Sequence, residues 1–411
     1  MSTPPPEAAH LARELLRWFP QVARTLPWRA PARQSRRDPY HVLVSETMLQ
    51  QTQVSRVLEK FSLFLDRFPT LPHLAKASDD DVLAAWTGLG YYRRARMLHA
   101  AAKAIVDRHK GIVPSDIPAL RALPGVGAYT AGAIASIAYN RPEPIVDTNI
   151  ARVLLRVHGK QLEAERDRTA FAWQHAAALA RATAHPGDCN EAMMELGALV
   201  CTAREARCNA CPWQARCVAH RDDTIARIPP PKARKPRTPL THVVFALPDP
   251  RRIFLCKRDA KASTAGSLWA GLYQLPTIEL PTTTKPSRSK LPRGKPPRTV
   301  HEAMALASLA TPPMRIVPSP NYVGPVLDFT FQTTHRDVRH IVFVVASIEG
   351  QHLSCHSPET ALATGMSSPQ RRILKELQTL LDANLWQGEH TDTVQQGTMK
   401  RPKRKARRET S

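Results

Sequence analysis

The sequence predicts a multidomain protein, an all-α core followed by a small α+β domain, from three observations. From about residue 7 to 220, apolar residues recur at intervals of three and four with short connections, the amphipathic helical period. At IPPPKARKPRTPL, residues 228 to 240, prolines and basic residues exclude helix and describe a stiff, extended linker. Beyond it, β-branched runs bounded by turn residues alternate with helical patches.

The elements follow in chain order. In SETMLQQTQVSRVLEKFSLFLDRF, Met48, Val54, Val57, Leu58, Phe61, Phe64, Leu65 and Phe68 trace one helical face. SDDDVLAAW opens with Ser and acidic residues suited to a helix N-terminus, and Gly88 and Gly90 mark the loop after it. DIPALRAL and a small-residue helix flank the turn Pro-Gly-Val-Gly; Gly125 and Gly127 let the backbone approach an anion, and the helix start aims amides at it. Asp147, in PIVDTNIARVL, sits at a helix start, where it can cap the helix, do chemistry, or both. Past the linker, THVVFALPDPRRIFLCKR reads as two short strands around a Pro-Asp-Pro turn, HIVFVVASIEG as another strand, and 300 to 309 and 368 to 384 as helices. Residues 281 to 300 and the tail from about 387 read as disordered, the tail holding seven basic residues in KRPKRKARR.

The 411 residues contain 58 Lys plus Arg against 35 Asp plus Glu, a formal net charge of +23. That footprint favours a polyanionic partner, nucleic acid before anionic membrane. No run of about 18 apolar residues occurs, and the N-terminus lacks a basic segment followed by an apolar core, so neither a membrane span nor a signal peptide is expected.

Seven cysteines are an odd number, and four of them cluster as Cys201, Cys208, Cys211 and Cys217, separated by six, two and five residues. In a reducing compartment this points to metal ligation rather than disulfides. The spacing alone admits a four-thiolate zinc site, and it differs from common ferredoxin patterns. Cys189, Cys256 and Cys355 read as small buried hydrophobes.

LPGVGAYTAG, the Asp after it and the four-cysteine set together resemble the helix-hairpin-helix DNA glycosylases of the endonuclease III superfamily. SETMLQQTQV, WTGLGYYRRAR and the basic linker into a second domain resemble, within it, the adenine DNA glycosylases of MutY type. The resemblance covers residues 10 to 225 strongly and 240 to 385 weakly. It implies a glycosylase core whose cysteines ligate one 4Fe-4S cluster, with Arg204, Arg207 and Arg216 between the ligands facing DNA phosphates. The implied partner is double-stranded DNA containing adenine opposite 8-oxoguanine or guanine, bound by a monomer, in the bacterial cytoplasm or a eukaryotic nucleus.

Base excision needs a proton for the leaving base and stabilisation of an oxocarbenium-like sugar, tasks for two carboxylates in different environments. Glu46 follows the apolar run Val42, Leu43 and Val44, where desolvation raises a carboxyl's pKa, and the resemblance makes it the general acid. The resemblance also implies that Asp147 supports the cationic sugar, that Asn149 holds Asp147 and the water, and that Glu191 is a further polar site residue. Tyr129 stands where strand-nicking relatives carry a Schiff-base lysine, so it implies hydrolysis without lyase chemistry. The resemblance further implies that Gln50 inserts into the stack, Gln51 reads adenine or nearby groups and Tyr91 stacks beside the opposite 8-oxoguanine. Arg93, Arg94 and Arg96 are read as phosphate contacts.

AGSLWAGLYQLP resembles the opening of a Nudix-like domain, but no hydrolase box follows, so a recognition module is expected. Thr333, Thr334 and His335 stand near the family's 8-oxoguanine-checking loop without its Phe; Thr334 and His335 remain donors. The expected domains are residues 1–30 with 140–221 as a cluster lobe, 31–139 as a hairpin lobe, 222–240 as linker, 241–385 as the Nudix-like domain, and 386–411 as tail. Two other readings stand beside this one: a glycosylase for thymine opposite guanine, and a noncatalytic DNA-binding iron–sulfur protein.

Overall fold

The computed structural model describes residues 6–29, 37–231, 236–249, 251–259, 268–281, 296–310, 313–350 and 352–382. A helical region precedes a sheet-containing one. The helices are α1 (Pro6–Val22), α2 (Pro39–Leu49), α3 (Val54–Arg67), α4 (Leu71–Lys76), α5 (Asp79–Ala85), α6 (Arg93–His109), α7 (Ile117–Arg121), α8 (Ala128–Ala133), α9 (Thr148–Val157), α10 (Glu165–Arg181), α11 (Pro186–Glu195) and α12 (Val218–Arg221). Wider π turns extend α8 through Ile134–Ala138 and α11 through Leu196–Val200. One continuous core joins Leu15, Phe19, Leu43, Phe61, Phe64, Trp86, Leu98, Ile150, Leu154 and Trp213. No helix among the described residues is long and apolar enough to cross a membrane.

Local signals explain the elements that carry the site. Asp38 caps α2 by accepting from the Tyr40 and His41 amides, Pro39 fits the first turn, and Tyr40 and Val42 through Met48 are buried. Such a helix is interior, so Glu46 on it is interior too. Ser78 caps α5 by accepting from the Asp81 amide at 3.1 Å. The three aspartates behind that cap point to three elements. Asp79 meets His99 at 2.8 Å and Lys103 on α6, Asp80 meets Lys257 and Tyr273 of the sheet region, and Asp81 pairs with Arg67 on α3.

The sheet region comprises β1 (Thr238–Ala246), β2 (Ile253–Lys257), β3 (Tyr273–Gln274), β4 (Thr277–Pro281), α13 (Val300–Ser308), β5 (Met314–Pro318), β6 (Leu327–Gln332), β7 (Arg336–Gly350), β8 (Leu353–His356), α14 (Pro358–Ala363) and α15 (Ser368–Asp382). One sheet runs β4-β1-β7-β5 with β6 also on β7, and a smaller one runs β3-β2-β8. The two strands around Pro-Asp-Pro are present, but they enter different sheets. β1 pairs in parallel with β7 over nine residues instead. Its run HVVFA is buried on both faces, as parallel central strands are, whereas β2 is buried only at Leu255.

Val243, Phe245, Ile341 and Phe343 form a core with Val300, Ala303 and Ala307 of α13, while Val244, Val342 and Val344 pack with Ile373, Leu374 and Leu377 of α15. At the end of the α15 face, His242 lies directly opposite His340, ring centroids 5.0 Å apart, with Phe329 stacked on His340. Residues 282–295 of the expected insertion, and the basic tail, lie outside the described residues.

Candidate active site

Glu46, Tyr129, Asp147 and Glu191 converge from α2, α8, α9 and α11, with Arg29 beside them. Glu46 is 5% exposed. Burial pushes its carboxyl up to about 7, the charges of Glu191 and Asp147 push the same way, and the Tyr129 hydrogen bond and Arg29 pull against them. Burial, then the neighbouring Glu46 charge, drives the Tyr129 phenol well above its ordinary range, so it stays a donor. The cluster therefore holds a carboxyl whose proton is exchangeable near neutrality.

Asp147 caps α9, its Oδ1 accepting from the Ile150 amide at 2.7 Å, while Asn149 Nδ2 donates to Oδ2 at 2.9 Å. Capping and site placement coincide. Asn149 is itself held: its Oδ1 accepts from Arg152 Nη2 at 3.0 Å, and Arg152 also donates to the carbonyls of Gly197 at 2.8 Å and Cys201 at 2.9 Å. Gly197 leaves room for Asn149, because a Cβ there would lie 2.9 Å from Asn149 Cβ. In the hairpin, Gly125 has φ 75°, and a Cβ would meet Met97 Cβ at 2.5 Å. Gly127 caps α8 with open space around it, leaving the turn's backbone accessible.

A buried ion-pair ladder stands behind Glu46. Arg29 donates to Glu191 at 3.1 Å and Glu195 at 2.9 Å, Arg24 to Glu195 at 2.8 Å, and Arg37 to Glu191, with Asp188 3.5 Å away. Burial raises the Glu191 pKa while Arg37 and Arg29 lower it. Removing one partner of such a ladder strands a buried charge, at a cost of about 3–5 kcal/mol. Reading the sequence singled out only Glu191 of this set. Its partners lie 154 and 162 positions away, and no local pattern marks them.

Gln50 and Gln51 end α2, and Tyr91 ends the loop before α6. Gln50 Nε2 donates to Thr130 Oγ1 at 3.2 Å, next to Tyr129. Gln51 and Tyr91 both have left-handed backbone, φ 55° and 46°, and Tyr91 is 44% exposed. Thr334 Oγ1 hydrogen-bonds the Tyr91 hydroxyl from the turn joining β6 to β7. In that turn Thr333 bonds Arg336, while the His335 carbonyl accepts from Thr238 and its side chain is exposed. Arg93 is exposed, but Arg94 turns inward onto protein carbonyls and Arg96 donates to the Ala270 carbonyl at 2.5 Å. These two guanidinium groups hold the protein together.

Cys201, Cys208, Cys211 and Cys217 line one partly open hollow with Val153, Val157 and Val200. All four are free thiols, and burial pushes those of Cys208, Cys211 and Cys217 up, Cys211 to about 12. Among the described residues, no group of three His, Cys, Asp or Glu is placed to hold a single metal ion. Four soft donors around an apolar void fit a larger thiophilic group, whose positive charge would keep the thiolates ionised. Arg156 fixes the loop by donating to Thr202 O at 2.7 Å and Cys201 Sγ at 3.4 Å, and Trp213 Nε1 donates to Leu11 O at 3.0 Å. Arg207 bonds the Leu199 carbonyl, Arg216 pairs with Glu14 at 3.0 Å, and Arg204 is exposed.

Residues 44–175 match the family model described as HhH-GPD superfamily base excision DNA repair protein. The chain is 45% identical over 215 residues to the adenine DNA glycosylase of Rattus norvegicus, covering 51% of this chain and 41% of that protein. It is 47% identical over 203 residues to that of Mycobacterium tuberculosis, covering 48% and 64%. Against that of Buchnera aphidicola it is 33% identical over 269 residues, covering 64% and 72%. The matched segment thus spans about two fifths of the rat relative and under two thirds of the mycobacterial one.

Proposed function

The chain belongs to the adenine DNA glycosylase family, and on that premise we propose that it hydrolyses the N-glycosidic bond of adenine mispaired with 8-oxoguanine or guanine in double-stranded DNA. The observation that carries the reading is the pairing of Glu46, whose buried carboxyl titrates near 7, with the capped Asp147 in one site. Glu46 delivers its proton to a ring nitrogen of the leaving adenine, so the base departs neutral. Asp147 opposes the positive charge that develops on the sugar, and Asn149 fixes it and the attacking water. Tyr129 holds the Glu46 carboxyl and, having no amine, forms no Schiff base, which makes the enzyme monofunctional. Arg29 holds the buried Glu191 against the same site.

Gln50, Gln51 and Tyr91 enter the duplex as the adenine flips out, and Gly125 and Gly127 present hairpin amides to a phosphate. Thr334 and His335, on the turn that reaches Tyr91, donate to the estranged base. We assign the sheet region, which begins with β1 at Thr238 inside the expected 222–240 linker, as a Nudix-like recognition domain working in the same monomer, and we place the protein with the DNA, in the nucleoid or nucleus.

Cys201, Cys208, Cys211 and Cys217 fit one 4Fe-4S cluster, and Arg156, donating to Cys201 Sγ, supports a thiolate there. When bound, such a cluster supplies iron–thiolate bonds that order the basic 201–217 loop. Neither proton transfer nor hydrolysis of this bond consumes an electron.

Single-turnover excision on otherwise identical duplexes carrying A:8-oxoguanine, T:G or no mispair tests the proposal. Adenine release from the first duplex alone is the expected result. Thymine release with adenine untouched would replace adenine by thymine as the substrate, and silence on all three would reduce the protein to a DNA-binding one.

A further inference from the structure

Arg94 reaches both DNA-entering loops at once, where Thr52 Oγ1 adds only one link of its own, to the Leu89 carbonyl at 3.4 Å. Its Nη1 donates to the carbonyls of Thr47 at 2.9 Å, Met48 at 2.9 Å and Gln50. Its Nη2 donates to Thr52 Oγ1 at 2.8 Å and to the carbonyls of Leu89 at 3.2 Å and Gly90 at 3.3 Å. The guanidinium also lies over the rings of Trp86 and Tyr91, each centroid 5.5 Å away.

Two of those carbonyls have a particular place in the chain. Gln50 O and Gly90 O belong to the peptides immediately before Gln51 and Tyr91, the two site residues with left-handed backbone. A non-glycine residue persists there only where its surroundings over-determine the conformation. The same planar fork over-determines both, with Nη1 on the Gln50 side and Nη2 on Thr52 and the Tyr91 loop together. Burial lowers the Arg94 pKa to about 10, so the group remains a full cation at neutral pH.

We propose that Arg94 is a positioning residue that locks the Gln50–Gln51 and Tyr91 loops into one unit, so that insertion at the flipped base and stacking at the opposite base occur together and mispair recognition depends on their coupling. The inference rests on the glycosylase reading. Lysine cannot take over the task, because a compact ammonium on a flexible stem does not span two loops as a planar fork does.

Arg94→Lys, which keeps the charge, separates positioning from phosphate attraction. Affinity is measured on a duplex carrying a nonhydrolysable adenine nucleotide opposite 8-oxoguanine and on the same duplex with A:T. Arg94→Lys is expected to lower the ratio of the two affinities about tenfold or more, the scale of a lost charged hydrogen bond. Affinity for the A:T duplex should change less than about twofold, because the charge remains. Arg93→Ala should instead weaken both duplexes alike. In the wild-type background Gln51→Ala and Tyr91→Ala should be non-additive on the mispair, and in Arg94→Lys they should become additive.

An unchanged affinity ratio, or equal losses on both duplexes, overturns the proposal. Should Arg94→Lys fail to fold, Thr52→Val removes one of its anchors together with the hydroxyl's own bond to the Leu89 carbonyl, and should lower the ratio about threefold; no change there is equally fatal. Wild-type protein that releases no adenine sinks the glycosylase reading, whereas normal release with an intact ratio in Arg94→Lys sinks this inference alone.

Discussion

Removing the Tyr129 hydroxyl should move the working pH of the enzyme upward. Glu46 titrates near 7 because burial, helped by Glu191 and Asp147, outweighs the Tyr129 hydrogen bond and Arg29. That hydrogen bond favours the charged carboxylate, and bonds to charged groups contribute about 1.5–3 kcal/mol. At 1.36 kcal/mol per pH unit, Tyr129→Phe raises the Glu46 pKa by about 1–2 units. A general acid must be protonated, so excision should be level below the pKa and fall about tenfold per pH unit above it. The break, near 7 in the wild type, should appear at about 8 to 9 in Tyr129→Phe. Single-turnover excision across about pH 5.5 to 9.5 reads the break independently of any loss in amplitude. Glu46→Gln should abolish the break and cost about 10²–10⁴ in rate while duplex affinity persists. A break that stays put or moves down in Tyr129→Phe, or one that survives in Glu46→Gln, would refute the assignment.

Other outcomes follow from neighbouring features. Gly197→Ala puts a Cβ against Asn149, and denaturant melts should show a loss of about 1–3 kcal/mol together with slower excision; a variant unchanged in both contradicts the tight contact. Tyr129→Lys places an amine beside Glu46 and should yield a borohydride-trapped DNA adduct, whose absence counts against the lyase comparison. The purified protein should be brown and contain iron and acid-labile sulfide, both lost in Cys208→Ser; a colourless protein with stoichiometric zinc overturns the cluster assignment. Burial, then the His242 and Arg372 charges, hold His340 near a pKa of about 3. The unfolded chain, with an ordinary histidine near 6.5, therefore takes up a proton that the fold refuses. Stability is full above about 6.5 and should fall by about 1.4 kcal/mol per pH unit toward 3, a slope that His340→Leu should flatten and denaturant melts would reveal.

Legibility in the sequence followed the range of the interactions. Glu46 could be found because its apolar neighbours are adjacent in sequence, and Asp147 because a cap is a local device. The helical core and the later sheet region were visible from periodicity, whereas the last residues of the expected linker belong to β1. The ladder of Arg24, Arg29 and Arg37 with Glu191 and Glu195 was invisible, since its partners are joined only by the packing of α1 against α11. Arg94 looked like a phosphate ligand because a loop arginine beside tyrosines gives no hint of the carbonyls it faces. The two strands flanking Pro-Asp-Pro were legible, but not that the long apolar strand β7 would be the parallel partner of β1.

The run Asp79, Asp80 and Asp81 behaves as a rotational key. Each successive residue on a helix turns by about 100°, which is why identical side chains reach α6, the sheet region and α3 in turn. Substituting one of them breaks one link. Inserting a single residue in the first turn of α5 leaves three carboxylates in place by composition but misaims them, loosening the helical core and the seat of the sheet region in a single step. Tolerance to length change at this turn should therefore be far lower than tolerance to substitution.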